Sequence, residues 1–295
     1  MGELFKYRLT ALCGRCFPRR IGYAIGYGVA DWCHAHDAAG RHGVMANLRR
    51  VFAFQGRKLD DQTLEREARS TFRYFSQFLL DFFAYSRPLT PAQMGRDITI
   101  VNREHLDRAM ARGKGVLLLT AHLGNWELGG AAVTGLGYPL RVIALPEPDP
   151  KVDRFFLERR RRRGLQVIPA GNAVRDVLRV LGRREMVALL ADRDYTPRQD
   201  RVVFFGEPAR LPRGAVWLAS HTGAAILPSF VIYNAQNRLE LHLHEPLFPD
   251  AFDSPDSMQQ VIVRILEEEI GKAPHQWYMF RDLWSDDSYG GPSAR

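Results

Sequence analysis

Apolar side chains return every three or four residues through roughly the first 90 positions, and then gather into short unbroken runs. In the first region Pro18-Arg19-Arg20-Ile21 opens a segment carrying Tyr23, Ile25, Tyr27, Val29 and Trp32. Met45, Leu48, Val51 and Phe52 follow at helical spacing, with Arg49 and Arg50 between them. Behind Asp61, a capping residue type, Leu64, Ala68, Phe72, Phe75, Leu79 and Phe82 keep the period of one buried helix face. Residues 1–90 therefore read as a helical N-terminal extension. Arg-rich, aromatic, amphipathic helices suit a bilayer interface. They suit equally a helical layer packed on the protein's own core.

From about residue 97 the runs Ile98–Val101, Val116–Thr120, Leu140–Ala144, Val167-Ile168, Met186–Leu190, Ile226–Ile232 and Leu239–Leu243 read as strands. Helical patterns lie between most of them, over Glu104–Ala111, Asn125–Thr134, Val152–Arg163, Ala173–Leu181 and Arg213–His221. Such alternation predicts an α/β fold with a mostly parallel central sheet flanked by helices. Ser257–Gly271 reads as a closing amphipathic helix. The expected organisation is an extension over 1–90, an α/β core over 91–288 and a disordered Gly/Pro/Ser tail over 289–295.

Composition narrows the partners. The 295 residues are 46% hydrophobic and 25% charged, ordinary globular values, with a formal net charge of +8. A basic surface attracts anionic lipid headgroups, nucleic acid or an acidic carrier protein. Cys13, Cys16 and Cys33 make no disulfide framework, which points to a reducing compartment. Cys13 and Cys16 have the spacing of half a zinc site, but no second pair follows, so no metal site is expected. No run reaches the roughly 18–20 apolar residues that cross a bilayer, and the N-terminus does not read as a signal peptide. Any membrane contact is expected to be peripheral or monotopic.

The chemistry gathers at Val116-Leu-Leu-Leu-Thr-Ala-His122-Leu-Gly-Asn-Trp-Glu127. His122 stands just past the C-terminal end of a strand, where open α/β sheets collect their ligand sites. Gly124 permits a tight turn and Asn125 is a good helix N-cap. Glu127 falls in the first helical turn, where the dipole favours an ionised carboxylate. A carboxylate on one ring nitrogen fixes the tautomer and leaves the other free to deprotonate a hydroxyl. An isolated H-x-x-x-x-E pattern is more often a capping Glu beside a His that bonds a turn. The strand-loop-helix context raises the functional reading. A second strand, Met186–Leu190, delivers Asp192, Arg193 and Asp194 to the same sheet edge. Asp192 is there a candidate second orienting carboxylate and Arg193 a candidate headgroup contact. Arg210 and Arg213 flank Pro212 at a helix start, where a bound anion would reconcile them with the dipole. Plain salt bridging among Asp192, Arg193, Asp194 and Glu207 is the rival explanation.

These stretches resemble a known family. Ala121-His-Leu-Gly-Asn-Trp-Glu-Leu128 is similar to the first motif of the bacterial lipid A late acyltransferases and the related phosphatidylinositol mannoside acyltransferases, within the lysophospholipid acyltransferase superfamily. Its H-x4-D/E pattern lands on His122 and Glu127. Leu189–Tyr195 and Val203–Gly214 resemble the D-x-D stretch and the F-F-G-x-x-A-x-x-P-x-G continuation. Gln276-Trp277-Tyr-Met-Phe-Arg-Asp-Leu-Trp284 resembles the Q-W-x-W-x-H-R-R-W ending, departing at Met279 and at Arg281-Asp282-Leu283. Asn47-Leu-Arg-Arg-Val-Phe52 matches an N-L-x-x-x-F stretch.

The resemblance implies a glycerolipid acyltransferase-like fold and direct transfer of a fatty acyl chain from acyl carrier protein or coenzyme A to a lipid hydroxyl. It implies no cofactor beyond that thioester. It also implies an enzyme on the cytoplasmic face of a bacterial inner membrane, with an anionic lipid surface and a lipid acceptor as partners. His122 and Glu127 are the implied catalytic pair. Asn125, Trp126, Arg160 from the run Arg159–Arg163, Asp192, Arg193, Asp194, Arg210 and Arg213 are the implied substrate contacts. Trp126, Phe204 and Phe205 are candidate walls of an acyl tunnel. Two other functions stand against this. Nucleic-acid binding fits the charge but lacks RNP-like aromatics, a recognition helix or zinc-finger spacing. A lipid-ester hydrolase needs a nucleophile elbow, and no G-x-S-x-G occurs.

Overall fold

In the computed structural model, which describes residues 3–85, 87–170, 173–194 and 201–285, the two sequence regimes become one packed body. Four helices come first: α1 (Glu3–Cys16), α2 (Arg19–His36), α3 (Ala38–Phe54) and α4 (Asp61–Ala84). The cap of α4 is Asp60, one residue earlier than the pattern suggests, its side chain accepting from Thr63 N. A short α5 (Pro91–Asp97), closed by a Thr90–Gln93 capping box, leads into the sheet.

The sheet holds β1 (Ile98–Val101), β2 (Val116–Thr120), β3 (Leu140–Ala144), β4 (Gln166–Pro169) and β5 (Met186–Leu190). A separate hairpin, β6 (Val202–Phe204) and β7 (Glu207–Ala209), precedes the last sheet strands, β8 (Ala225–Tyr233) and β9 (Leu239–Leu243). Sheet order is β1-β9-β8-β2-β5-β3-β4. All neighbours are parallel except β8 and β9, which pair antiparallel and reverse one edge of the sheet. The helices between strands are α6 (Arg103–Ala111), α7 (Trp126–Gly135), α8 (Pro150–Arg162), α9 (Ala173–Gly182) and α10 (Gly214–Thr222), with α11 (Pro255–Lys272) closing the chain. Each matches the alternation expected from the sequence. The helix expected from Ser257 begins two residues earlier, because Ser254 caps it.

The central strands β2, β5 and β8 are largely buried on both faces, as the middle of a parallel sheet must be, and each face has its own core. On one face Leu117, Leu119, Val187 and Leu189 meet α9, α10 and α11. On the other, Val116, Leu118 and Met186 meet Leu106 of α6 and Leu128, Ala131 and Ala132 of α7. The first four helices add two satellite cores. Leu48, Phe52, Leu64, Ala68 and Phe72 pack with Phe280, and Ala11, Phe82 and Phe83 pack with Phe155 and Phe156 of α8. No described helix is long and apolar enough to cross a membrane. The tail expected over 289–295 lies outside the described residues.

Asn47 and Arg50 both tie α3 to the C-terminal segment, Arg50 through Asp282 at 3.1 Å. Asn47 is 1% exposed. Its amide donates to the carbonyls of Met279 and Arg281 at 2.9 and 2.8 Å and accepts from Leu283 N at 3.0 Å. Replacing it with Ala removes these hydrogen bonds at a buried position, at about 1–3 kcal/mol for each buried group that loses its partner. Asn47→Ala is expected to lose about 3 kcal/mol or more in urea unfolding with an unchanged m-value. A loss under about 1 kcal/mol would show that water replaces the amide.

Candidate active site

The site is set by the pairing of two parallel strands. β2 and β5 run in register from Val116↔Met186 to Thr120↔Leu190, and Ala191 N continues the ladder to Thr120 O at 2.8 Å. Two residues beyond that pair, His122 and Asp192 emerge side by side. Asp192 accepts from His122 N at 3.0 Å and lies 2.8 Å from His122 Nδ1. Its second oxygen also takes the Trp277 indole N–H at 2.9 Å.

Asp192 is fully buried. Burial alone would raise its carboxyl, but the His122 ring and its hydrogen bond, Arg193 and Trp277 hold it down at about 2. The ionised carboxylate accepts, so the neutral imidazole carries its proton on Nδ1 and its free lone pair on Nε2. Burial pushes the His122 imidazole below its ordinary value, against the opposing pull of Asp192. The ring is therefore kept as a free base.

Backbone packing fixes the loop that carries His122. Gly124 has φ of +59°, and a Cβ there would fall 1.8 Å from Val231 O, so only glycine fits. Asn125 N donates to Val231 O at 2.7 Å. Its side chain caps α7 by accepting from Leu128 N at 3.2 Å and donates to Tyr233 OH at 3.0 Å. The segment 276–278 runs antiparallel beside the loop, with Gly124 N to Gln276 O at 2.9 Å and Tyr278 N to His122 O at 2.8 Å. Gln276 bonds both backbone groups of Tyr233, and Tyr278 O accepts from Arg193 Nη2 at 2.7 Å. The C-terminal motif thus holds the histidine loop and its carboxylate at once.

Glu127 faces a different partner from the one its spacing suggests. Arg160 grips it through Nε at 2.9 Å and Nη2 at 2.6 Å, and Arg163 Nη1 stands 3.9 Å away. The arginine run on α8 divides by helical phase. Arg160 and the fully buried Arg163 turn inward, while Arg161 and Arg162 are exposed. Arg159 lies over the Phe155 ring at 3.6 Å. Burial pushes the Arg163 guanidinium down to about 10 despite Glu127. The carboxylate that orients His122 is Asp192, because the β2–β5 register places it there, and Glu127 instead anchors Arg160.

These groups border a cavity of about 900 Å³, lined by His122, Trp126, Glu127, Arg160, Arg193 and Asp194 at its polar end. It continues beneath α7 past Leu118, Gly129, Gly130, Val142, Leu165 and Ala188. Trp126 stacks on Phe78 of α4 at 4.4 Å between centroids and meets the His122 ring edge-on at 5.2 Å. Asn125 and Asp192 act from behind the wall, as cap and orienting group. Arg213 turns away to pair with Asp256 of α11, and Arg210 does not border the cavity. Phe204 and Phe205 pack among Trp277 and Trp284 in the core and not along the tunnel. The rival reading, one ion cluster joining Asp192, Arg193, Asp194 and Glu207, does not reach Glu207, which pairs with Arg50 at 2.8 Å. Among the described residues no His, Cys, Asp and Glu cluster could hold a metal, and none of the three cysteines is in a disulfide.

Two features escape a reading of motifs. Trp277 is a partner of Asp192, and the sequence shows it only as part of a motif. Asp81 is 1% exposed among Leu80, Phe82 and Phe83. It accepts from Arg19 at 3.0 Å, Tyr23 OH at 2.7 Å and Tyr233 OH at 2.9 Å. A charge inside an apolar helix face was the signal available.

The chain matches the family described as bacterial lipid A biosynthesis acyltransferase over residues 7–286. It is 26% identical to a phosphatidylinositol mannoside acyltransferase of Mycolicibacterium smegmatis, covering 91% of this chain and 88% of that one. A Mycobacterium tuberculosis protein of the same name is 29% identical over 65% of this chain, which spans 61% of its length. A lipid A biosynthesis acyltransferase of Haemophilus influenzae is 27% identical over 62% of this chain and 58% of its own.

Because Asp192 favours the imidazolium, its removal lowers the His122 pKa further. Asp192→Asn is expected to cut turnover about 10³–10⁴-fold, the scale for losing such a carboxylate. The acid limb of its pH–rate profile, expected below the ordinary value of 6.5 in the wild type because burial lowers the His122 imidazole, should move to still lower pH. An acid limb moving upward contradicts the assignment.

Proposed function

Since the chain belongs to the bacterial lipid A biosynthesis acyltransferase family, and is an acyltransferase, we propose that it carries a fatty acyl chain from an acyl carrier protein or coenzyme A thioester to a hydroxyl of a membrane glycolipid, with His122 as general base. The observation carrying this reading is the His122–Asp192 pair at the polar end of an apolar cavity. His122 Nε2 takes the proton from the acceptor hydroxyl as its oxygen bonds to the thioester carbonyl carbon. The tetrahedral intermediate then collapses, the carbon–sulfur bond breaks, and the imidazolium returns the proton to the leaving thiolate. No acyl-enzyme is formed in this reading, because the three cysteines lie outside the cavity lining and, among the described residues, no serine or threonine there is paired with His122.

Arg160, locked by Glu127, presents a fixed cation at the cavity and suits a phosphate of donor or acceptor. Arg193 and Arg281 add positive charge at the same opening. The relatives named for mannosides favour a phosphatidylinositol mannoside-type acceptor. The relatives named for lipid A keep that class of acceptor as the second reading.

A peripheral seat on the membrane surface is supported by α2, whose outward face carries Ile21 (49% exposed), Ile25 (45%), Val29 (57%) and Trp32 (62%). Leu9, Leu12 and Phe17 extend this apolar surface, and Arg8 and Arg20 stand exposed beside it. Apolar stripe and flanking cations together suit an anionic leaflet.

His122→Ala is expected to abolish acyl transfer from a thioester to phosphatidylinositol mannoside or lipid A precursor vesicles while the thermal unfolding midpoint stays within a few degrees. Full turnover in that variant refutes the mechanism. Val29→Glu with Trp32→Glu should cut co-sedimentation with anionic vesicles at least about tenfold, since each apolar side chain contributes roughly 1.5–3 kcal/mol when buried. Unchanged co-sedimentation places membrane contact elsewhere.

A further inference from the structure

Away from its polar end, the part of the cavity beneath α7 has an apolar wall interrupted at one spot. Thr120 is 8% exposed, borders the cavity, and its hydroxyl has no hydrogen-bond partner. On the neighbouring strand, Ser229 is 3% exposed and also borders the cavity. Its hydroxyl donates to Leu227 O at 3.0 Å, which leaves an acceptor lone pair. β2 and β8 are parallel with Leu119 opposite Pro228, so the next residues in register are Thr120 and Ser229. In-register residues of parallel strands face the same side, about 4.8 Å apart. Two hydroxyls therefore sit side by side in a wall otherwise formed by Leu118, Gly129, Val142, Ala188 and Leu241.

Position along the strand gives the spot a chemical meaning. Thr120 precedes His122 by two residues, about 6.6 Å along β2 and on the same face. An acyl chain entering with its carbonyl at His122 and its tail beneath α7 passes Thr120 within its first few carbons. A saturated chain leaves the Thr120 hydroxyl buried and unpaired. A hydroxyl near the carbonyl accepts from Thr120 and donates to Ser229, satisfying all three groups.

We propose that Thr120 and Ser229 form a subsite for a hydroxyl group on the donor acyl chain, at or next to its third carbon, so that the enzyme selects a hydroxylated chain over its saturated counterpart. Naming the ligand as an acyl chain rests on the acyl-transfer reading above. Selection arises because the hydroxylated chain pairs groups that its analogue strands.

The test compares 3-hydroxydodecanoyl and dodecanoyl thioesters in competition, with phosphatidylinositol mannoside vesicles and, separately, lipid A precursor vesicles as acceptors. Calorimetric binding of the two free acids provides a readout independent of transfer. The wild type is expected to favour the hydroxylated chain about tenfold, equivalent to about 1.4 kcal/mol. Thr120→Val, which keeps the side-chain shape, should erase that preference while retaining dodecanoyl transfer, and Ser229→Ala should weaken it. Equal use of both chains by the wild type, or an undiminished preference in Thr120→Val, overturns the subsite and leaves the spot to water. If neither thioester is transferred but 3-hydroxydodecanoate still binds better and Thr120→Val equalises the two, the subsite stands and the transfer reading falls. Absence of both transfer and binding preference removes both.

Discussion

The geometry of this protein depends on the register between β2 and β5. Thr120 opposite Leu190 puts His122 opposite Asp192, and that single alignment brings an imidazole and a buried carboxylate to 2.8 Å. In a sheet, a slip of one residue sends a side chain to the opposite face. Both strands are buried on both faces and packed against separate cores, so such a slip would disturb two cores and the dyad together. The stability of the parallel pair and the alignment of the site are thus one requirement.

Around that alignment the chain's two ends close. The segment 276–278 pairs with the histidine loop and sends Trp277 to Asp192, and Asn47 of α3 holds the chain just beyond it at Met279 and Arg281. From the other side α4 stacks Phe78 on Trp126, and Asp81 joins Arg19 and Tyr23 of α2 to Tyr233, which in turn holds Asn125. Burial pushes the Asp81 carboxyl upward, against the pull of Arg19 and the two tyrosine hydroxyls. Such a buried carboxylate is tolerable because three donors from two separate elements meet it, Arg19 and Tyr23 of α2 and Tyr233 of β8. The helix with the exposed apolar stripe is therefore bonded to the loop that carries the chemistry, and the helical region packs continuously with the sheet domain.

The cavity shows why two carboxylates and a divided arginine run are needed. Asp192 serves the base from behind, out of contact with the cavity. Glu127 serves Arg160 at its edge, and Arg163 beneath supplies a second positive charge. Separate partners keep the imidazole from competing with guanidinium groups for one carboxylate. Below them the glycines of α7 let the helix lie close to the sheet: a Cβ on Gly129 would meet Val231 Cγ2 at 2.7 Å.

The sequence alone determined which elements form and which edge of the sheet is active. Unbroken apolar runs and helical periods marked the seven sheet strands and the helices between them, because burial on two faces or one leaves a local pattern. His122 and Asp192 were both legible as residues just past strand ends, and the motifs were enough to place the chain in its family. Three things were decided only by tertiary structure. Glu127 lies five residues from His122 and reads as its partner, yet the partner is 70 residues away, because chain separation says nothing of which strands pair. The resemblance singled out Arg160 from the arginine run, but that Glu127 holds it and that Arg163 is buried beside it were decided only when α8 was placed against α7. Arg213, expected at an anion, is drawn instead to Asp256 on a helix that the local sequence does not foresee as its neighbour. Local periodicity fixes what a residue does within its own element, and long-range pairing fixes whom it meets.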